Sequence, residues 1–89
     1  MKRIAVIGAV LEHPQANQKD FNDIVSAFKG IVKGRMGIPF DEEDTSVISL
    51  TVTGELDVIN TLTGRLGKLP GVTVKTAVSG KLTGEEEDI

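Results

Sequence analysis

Residues 47–78 read VISLTVTGELDVINTLTGRLGKLPGVTVKTAV, and the hydrophobic period changes twice within them. Residues 47–52 alternate in the manner of a strand, and so do residues 72–78 after the Pro70-Gly71 turn. Between these segments, apolar side chains recur at helical spacing: Ile59, Leu62, Leu66 and Leu69. The stretch therefore predicts a strand, a helix and a returning strand.

The first half of the chain repeats this order. Residues 3–11 are apolar almost throughout, as expected for a buried strand. Pro14 suits the first turn of a helix, whose apolar stripe consists of Phe21, Ile24, Val25 and Phe28. Residues 31–40 follow as the second strand. The order βαββαβ predicts an α+β domain with the ferredoxin-like fold, in which four antiparallel strands form one sheet and two helices cover one face.

The chain has 89 residues, which is enough for one small domain. A domain of this size buries only about 60–65% of the surface of its unfolded chain, so its own core leaves it marginally stable. The sequence has no cysteine to form disulfides, and self-association is the supplement we expect. We assign residues 1–80 to the domain and predict that the polar, acidic residues 81–89 form a disordered tail.

The charge distribution and the apolar segments exclude two classes of partner. Residues 1–79 contain nine basic and nine acidic side chains, so the net charge of −3 comes from the tail. A neutral body without Trp or Tyr is a poor match for nucleic acid, which selects clustered basic charge and stacking rings. No apolar run reaches the roughly 20 residues that a membrane-spanning helix needs. We therefore expect a cytoplasmic protein that binds no nucleic acid directly and no membrane.

Alternation also predicts which strand residues lie on the open face of the sheet, opposite the helices. Ile48, Leu50 and Val52 are expected to face the helices. The open face is expected to receive alternate residues of the first and third strands: Ala5, Ile7, Ala9, Val47, Ser49 and Thr51. Arg35 and Lys75 are expected at its basic rim. An apolar centre of this kind favours a homo-oligomer, either a dimer or a tetramer.

Three short segments resemble one known family: RMGIP at residues 35–39, SVISL at residues 46–50 and GRLGKLPGV at residues 64–72. The resemblance is to regulators of the iron-only hydrogenase system. It implies a regulatory role and an ACT-like, ferredoxin-like fold, related to the C-terminal domain of nickel-responsive repressors. Those repressors bind nickel through several His and a Cys. This sequence has His13 alone and no Cys, so we expect neither a metal site nor a cofactor.

The candidate ligand site combines the loop after the first strand with the second strand. By resemblance to ACT-like assemblies, we expect it at a subunit interface, formed by Leu11, Glu12, His13, Arg35, Met36 and Gly37. The planar fork of Arg35 suits a carboxylate or phosphate, so the expected guest is an anionic small molecule or an acidic protein segment. The alternative is that Gly34 and Gly37 mark a bulged edge strand and that Arg35 only covers the sheet.

The remaining titratable residues indicate no catalytic site. With one His and no Cys, the sequence lacks the usual members of a catalytic triad, so we expect no enzyme. The four acids at residues 41–44 favour a solvated turn over a calcium or magnesium site. Our leading hypothesis is an oligomeric regulatory module that senses a small ligand or binds a partner. The alternatives are a ligand-free interaction or assembly factor for hydrogenase maturation, and a small enzyme on this fold.

Overall fold

The computed structural model describes residues 1–83, with the backbone alone for residues 81–83. All four strands pair antiparallel in one sheet, in the order β2-β3-β1-β4. The predicted ferredoxin-like order βαββαβ is confirmed. The elements are β1 (Lys2–Glu12), α1 (Pro14–Ala27), β2 (Val32–Phe40), a 3₁₀ turn (Asp41–Glu43), β3 (Thr45–Gly54), α2 (Leu56–Gly67) and β4 (Val72–Thr83).

The C-terminal boundary of the domain lies later than predicted. Lys2 pairs with Thr83 and Arg3 with Leu82, so the first residues of the predicted tail belong to β4. The prediction of disorder from residue 81 onward is wrong for residues 81–83, because β1 begins early enough to offer them backbone partners. Residues 84–89, the rest of the predicted tail, lie outside the described residues.

Both helices pack on the same face of the sheet, which we call the covered face. The predicted stripe of α1 places Phe21 and Val25 in the core, and that of α2 buries Ile59, Leu62 and Leu66. Apolar residues at this spacing form one side of a helix, and their burial is the main source of helical stability in a domain this small. Of the helices in residues 1–83, neither is long and apolar enough to cross a membrane.

The first strand faces the helices with the opposite set of residues from the one predicted. Its covered-face side chains are at most 2% exposed: Ala5, Ile7, Ala9 and Leu11. Ala5 lies opposite Val52 and Ile7 opposite Leu50, and residues directly opposite in a sheet share a face. The assignment of Ala5, Ile7 and Ala9 to the open face was therefore wrong. Residues on both faces of β1 are apolar, so alternation in the sequence did not separate them.

A bulge in β2 reverses the faces of the residues that follow it. Val32 lies opposite Val52, but Gly34 lies opposite Thr51, so one extra residue is accommodated between them. Arg35 consequently lies opposite Leu50, on the covered face, and the prediction that it lies on the open face beside Lys75 was wrong. The bulged edge strand that we had considered as the alternative is present.

Candidate functional site

A cleft of about 480 Å³ lies on the covered face, where α1 leaves the edge strand β2 uncovered. Its walls come from the first turns of α1, from β2 and from the start of β3, with the 3₁₀ turn at one end. Because β2 is an edge strand and α1 packs over the middle of the sheet, no other described element fills this space. The volume falls within the range of about 300–1,000 Å³ that small-molecule sites occupy.

Arg35 reaches from β2 to α1 at one end of this cleft. Its Nη2 donates a hydrogen bond of 2.7 Å to Oδ1 of Asn22 on α1. Its guanidinium carbon lies 5.9 Å from the ring centre of Phe21, a cation–π distance. Among residues 1–83, no carboxylate forms an ion pair with Arg35. Among residues 1–83, the guanidinium therefore contacts neutral groups, and no ion pair there offsets its positive charge.

Gly37 keeps the middle of the cleft open. A methyl group placed on Gly37 would meet one atom within 4 Å, Cγ1 of Ile48 at 3.9 Å. The backbone of Gly37 is extended and accommodates any residue. The backbone conformation therefore does not require glycine at this position. The absence of a side chain leaves free space between Arg35 and Pro39 on the same face of β2.

His13 and Asp44 form a clasp at the end of the cleft opposite Arg35. Nδ1 of His13 lies 2.6 Å from Oδ2 of Asp44, and the backbone N–H of His13 donates to the Asp44 carbonyl at 2.9 Å. Both residues have left-handed backbones, with φ of 57° and 53°. The hydrogen bond to Asp44, followed by the charge of that carboxylate, raises the pKa of His13 above 6.5. The clasp joins the β1–α1 loop to the start of β3.

Asn17 is buried at the same end of the domain and links two loops there. Its Nδ2 donates to the carbonyl of Glu12 at 2.9 Å and to the carbonyl of Pro70 at 3.1 Å, which ties two loops together. Gly71 has a φ of 79°, and a methyl group there would lie 2.9 Å from the Glu12 carbonyl oxygen. Asn17 Oδ1 is buried without a protein partner. These contacts join the first turns of α1 to two loops at this end of the domain.

The structure separates the six predicted ligand residues into five locations. Arg35 and Gly37 line the cleft, whereas His13 lies at its rim in the clasp and Glu12 is exposed at the end of β1. Leu11 is completely buried in the core, and Met36 points to the opposite face of the sheet. The predicted set is therefore not one surface within a single chain. Whether a subunit interface reunites part of it stays a prediction.

Sequence reasoning missed the α1 residues that shape the site. Asn17, Phe21 and Val25 follow one another at intervals of four, so the helical stripe itself placed Asn17 toward the core. Gln18 and Asn22 form the neighbouring stripe, which borders the cleft. Within residues 1–83, His and acidic side chains do not gather in groups of three or more that could hold a metal ion.

The chain is similar to one described family and to solved structures. A family model with the description "Iron-only hydrogenase system regulator, putative", called TM1266-like, matches residues 3–76. A solved structure, that of the protein TM1266 from Thermotoga maritima, is 31% identical, with a TM-score of 0.85 over 88% of this chain and 98% of that one. No curated protein matches the chain.

Two more distant structures share the fold alone. SnoaB, a cofactor-independent oxygenase from Streptomyces nogalater, is 12% identical with a TM-score of 0.55, over 94% of this chain and 97% of SnoaB. A "putative PII-like signaling protein" from Thermus thermophilus is 19% identical with a TM-score of 0.52, over 86% of this chain and 85% of that one. At these identities the likeness concerns the ferredoxin-like backbone and transfers no activity.

Proposed function

This chain belongs to the TM1266-like family of iron-only hydrogenase system regulators, and we propose that it acts as a self-associating regulatory module that binds a small ligand or a partner protein. Family membership supports the regulatory role. The open face of the sheet supports self-association, and it is the observation that carries the proposal. The cleft on the other face supports ligand binding.

The open face carries exposed apolar side chains on two of its four strands. Six of them, on β1 and β2, are between 38% and 64% exposed: Ile4, Val6, Val10, Met36, Ile38 and Phe40. Opposite them on the neighbouring strands lie Val47, Ser49 and Ala77, which add no charge. Scattered exposed apolar residues are normal on a monomer, but a patch spanning several strands indicates a surface that another molecule covers.

A second copy of this chain fits the open face in size. Four strands about 4.8 Å apart and about 33 Å long cover roughly 600 Å² on one side. Two such faces bury about 1,200 Å² in total, the lower end of the range for specific, stable interfaces. The face is uncharged in the middle and has Lys75 and Glu12 at its margins, the distribution typical of interfaces. A two-fold dimer, alone or as half of a tetramer, covers it with identical surfaces.

We also propose that the module performs no catalysis. Its single His is exposed and engaged by Asp44. Among residues 1–83, the cleft beside α1 contains neither a nucleophile hydrogen-bonded to a base nor a gathered metal-ligand set. The likeness to an oxygenase rests on 12% identity and carries no activity. A ligand-free assembly role for hydrogenase maturation is the alternative within the same family, and the cleft favours the ligand-binding form of the proposal.

Light scattering on the purified full chain tests self-association. We expect a dimer or tetramer at tens of micromolar protein, a concentration of roughly the order at which stable oligomers persist. Val6→Lys places a charge in the centre of the open face and should yield a folded monomer. The matched control is Val58→Lys, the same change at an exposed position on α2, which should leave the oligomer intact. A monomeric wild type, or equal behaviour of the two variants, would contradict the proposal.

A further inference from the structure

We infer that the cleft beside α1 binds a short, extended zwitterion, with its anionic group on Arg35 and its ammonium group near Asp41, roughly 10 Å away. This inference deepens the proposed function by naming the class of ligand, and it rests on that function. It places the ligand on the covered face, whereas self-association uses the open face, so the two can be tested separately.

The Arg35 end of the cleft is prepared for an anion. Asn22 and Phe21 hold the guanidinium, and no described carboxylate neutralises it. A planar guanidinium offers parallel N–H groups that match the two oxygens of a carboxylate. Because Asn22 and Phe21 already contact the guanidinium, a ligand that binds there has less side-chain freedom to remove from Arg35.

The opposite end of the cleft is acidic. Asp41 and Asp44 both line it, and Asp44 already pairs with His13 through the clasp. Asp41 forms no ion pair among residues 1–83, so its carboxylate is available to a cation. An anion that filled the whole cleft would approach these carboxylates, and a cation that filled it would approach Arg35. A molecule with one charge of each sign matches both ends.

The spacing along β2 sets the length of the ligand. Arg35, Gly37 and Pro39 lie on one face of the strand, and four residues of strand span about 13 Å. Allowing for the size of the side chains at the two ends, roughly 10 Å remains between the ligand charges, about the length of three extended residues. Gln15, Gln18 and Ser46 provide hydrogen-bonding groups along the walls, which suit amide groups in the middle of the ligand.

An acidic protein segment, the alternative guest that the sequence suggested, matches this cleft less well. Such a segment would satisfy Arg35 but would bring further carboxylates toward Asp41 and Asp44. Like charges at this distance are unfavourable, more so in a cleft partly shielded from water. The structure thus favours a dipolar ligand over a purely anionic one.

The test uses triglycine as the probe and follows backbone amide signals by NMR. Acetyl-triglycine lacks the ammonium group and triglycine amide lacks the carboxylate, so each removes one charge at nearly constant length. We expect triglycine to shift the amides of Gly37 and Ser46, and each capped peptide to bind roughly 10- to 100-fold more weakly. In a further arm, 8-aminooctanoate carries both charges without amides. If 8-aminooctanoate binds as tightly as triglycine, the two charges alone select the ligand. If it binds more weakly, the hydrogen-bonding groups along the cleft walls contribute as well.

Variants of β2 locate the binding. Arg35→Gln should weaken triglycine binding roughly 10- to 100-fold, whereas Lys33→Gln, which loses the same charge at the bulge, should not. Gly37→Val adds apolar volume to the cleft, where an added Cβ meets only Ile48 at 3.9 Å, and should abolish binding. Gly34→Val, with open space around its added side chain, is the matched control.

Three outcomes would overturn the inference: no shifts at cleft residues, equal affinities for capped and uncapped peptides, or loss of binding in both members of a pair. Any of these would leave self-association through the open face untouched.

Discussion

The two faces of the sheet differ in exposure far more than in composition. On β1, Ile7 is completely buried on the covered face, whereas its neighbour Val6 is 47% exposed on the open face. Both side chains are β-branched and apolar. The helices alone make the difference, because they cover one face and leave the other bare. Apolar residues on both faces are typical of sheets that are covered on both sides. The comparison therefore shows where the proposed self-association would bury apolar surface, because within one chain the open face keeps apolar side chains exposed.

The largest expected effect comes from truncating one side chain on each face. Ile7→Ala removes buried methyl groups and leaves a cavity, and should lower the free energy of unfolding by about 3 kcal/mol. Val6→Ala removes less surface and should cost under about 1 kcal/mol at low protein concentration. Urea unfolding measures both. The cost of Val6→Ala should rise with protein concentration if the open face is buried in an oligomer. If the two variants lost similar amounts of unfolding free energy in dilute solution, the two faces would not differ in burial as described.

A smaller loss of stability is expected from replacing Asn17, a buried polar residue at one end of the covered face. Asn17→Ala leaves the carbonyls of Glu12 and Pro70 without their side-chain donor and should lower the free energy of unfolding by about 2 kcal/mol. The next residue supplies the control, since Gln18→Ala changes an exposed position on the same helix and should be close to neutral or slightly stabilising. Equal stability of the two variants, measured by thermal unfolding, would show that Asn17 does not join the loops.

The smallest effect concerns the clasp, at the end of the cleft on the covered face. Asp44 raises the pKa of His13 above 6.5, so proton binding favours the folded state. This stabilisation is complete below pH 6.5 and is lost as the pH rises through the higher folded pKa. NMR titration of the imidazole should therefore give a midpoint above 6.5 in the wild type.

The variant Asp44→Asn isolates this cause. Asn tolerates the left-handed backbone of position 44, so the change removes the carboxylate without imposing strain. The midpoint of His13 should move back toward 6.5, and the dependence of the urea midpoint on pH in this range should become flatter. An unchanged imidazole titration would show that Asp44 does not control His13 in solution.

The sequence predicted the elements of the fold because each carries a clear period. The α2 stripe of Ile59, Leu62 and Leu66 and the α1 stripe around Phe21 are both buried as expected. The faces of the strands were harder to predict. In β1 there is no polar alternation to mark the outside, and in β2 the extra residue between Val32 and Gly34 shifts every later side chain to the other face.

The candidate site was predicted in part, and the bulge explains most of the rest. Arg35 and Gly37 do share a cleft, but on the face opposite the one expected, and Met36 is separated from them by the strand itself. Leu11 was placed in the site by its position next to Glu12, yet its side chain completes the core. The contributions of Gln15, Gln18 and Asn22 depend on how α1 lies beside β2, which a single sequence does not specify. Cytoplasmic location and the absence of nucleic-acid binding stay predictions.

The alternation of β2 after its bulge has a thermodynamic consequence. If both proposals hold, consecutive residues of one strand serve two equilibria, because Arg35 and Gly37 face the cleft while Met36 and Ile38 belong to the open face. Any preference of a cleft ligand for one assembly state must then be matched by an equal preference of that state for the ligand. Such coupling requires neither a hinge nor a moving domain, because the two surfaces lie on opposite faces of a single β-strand.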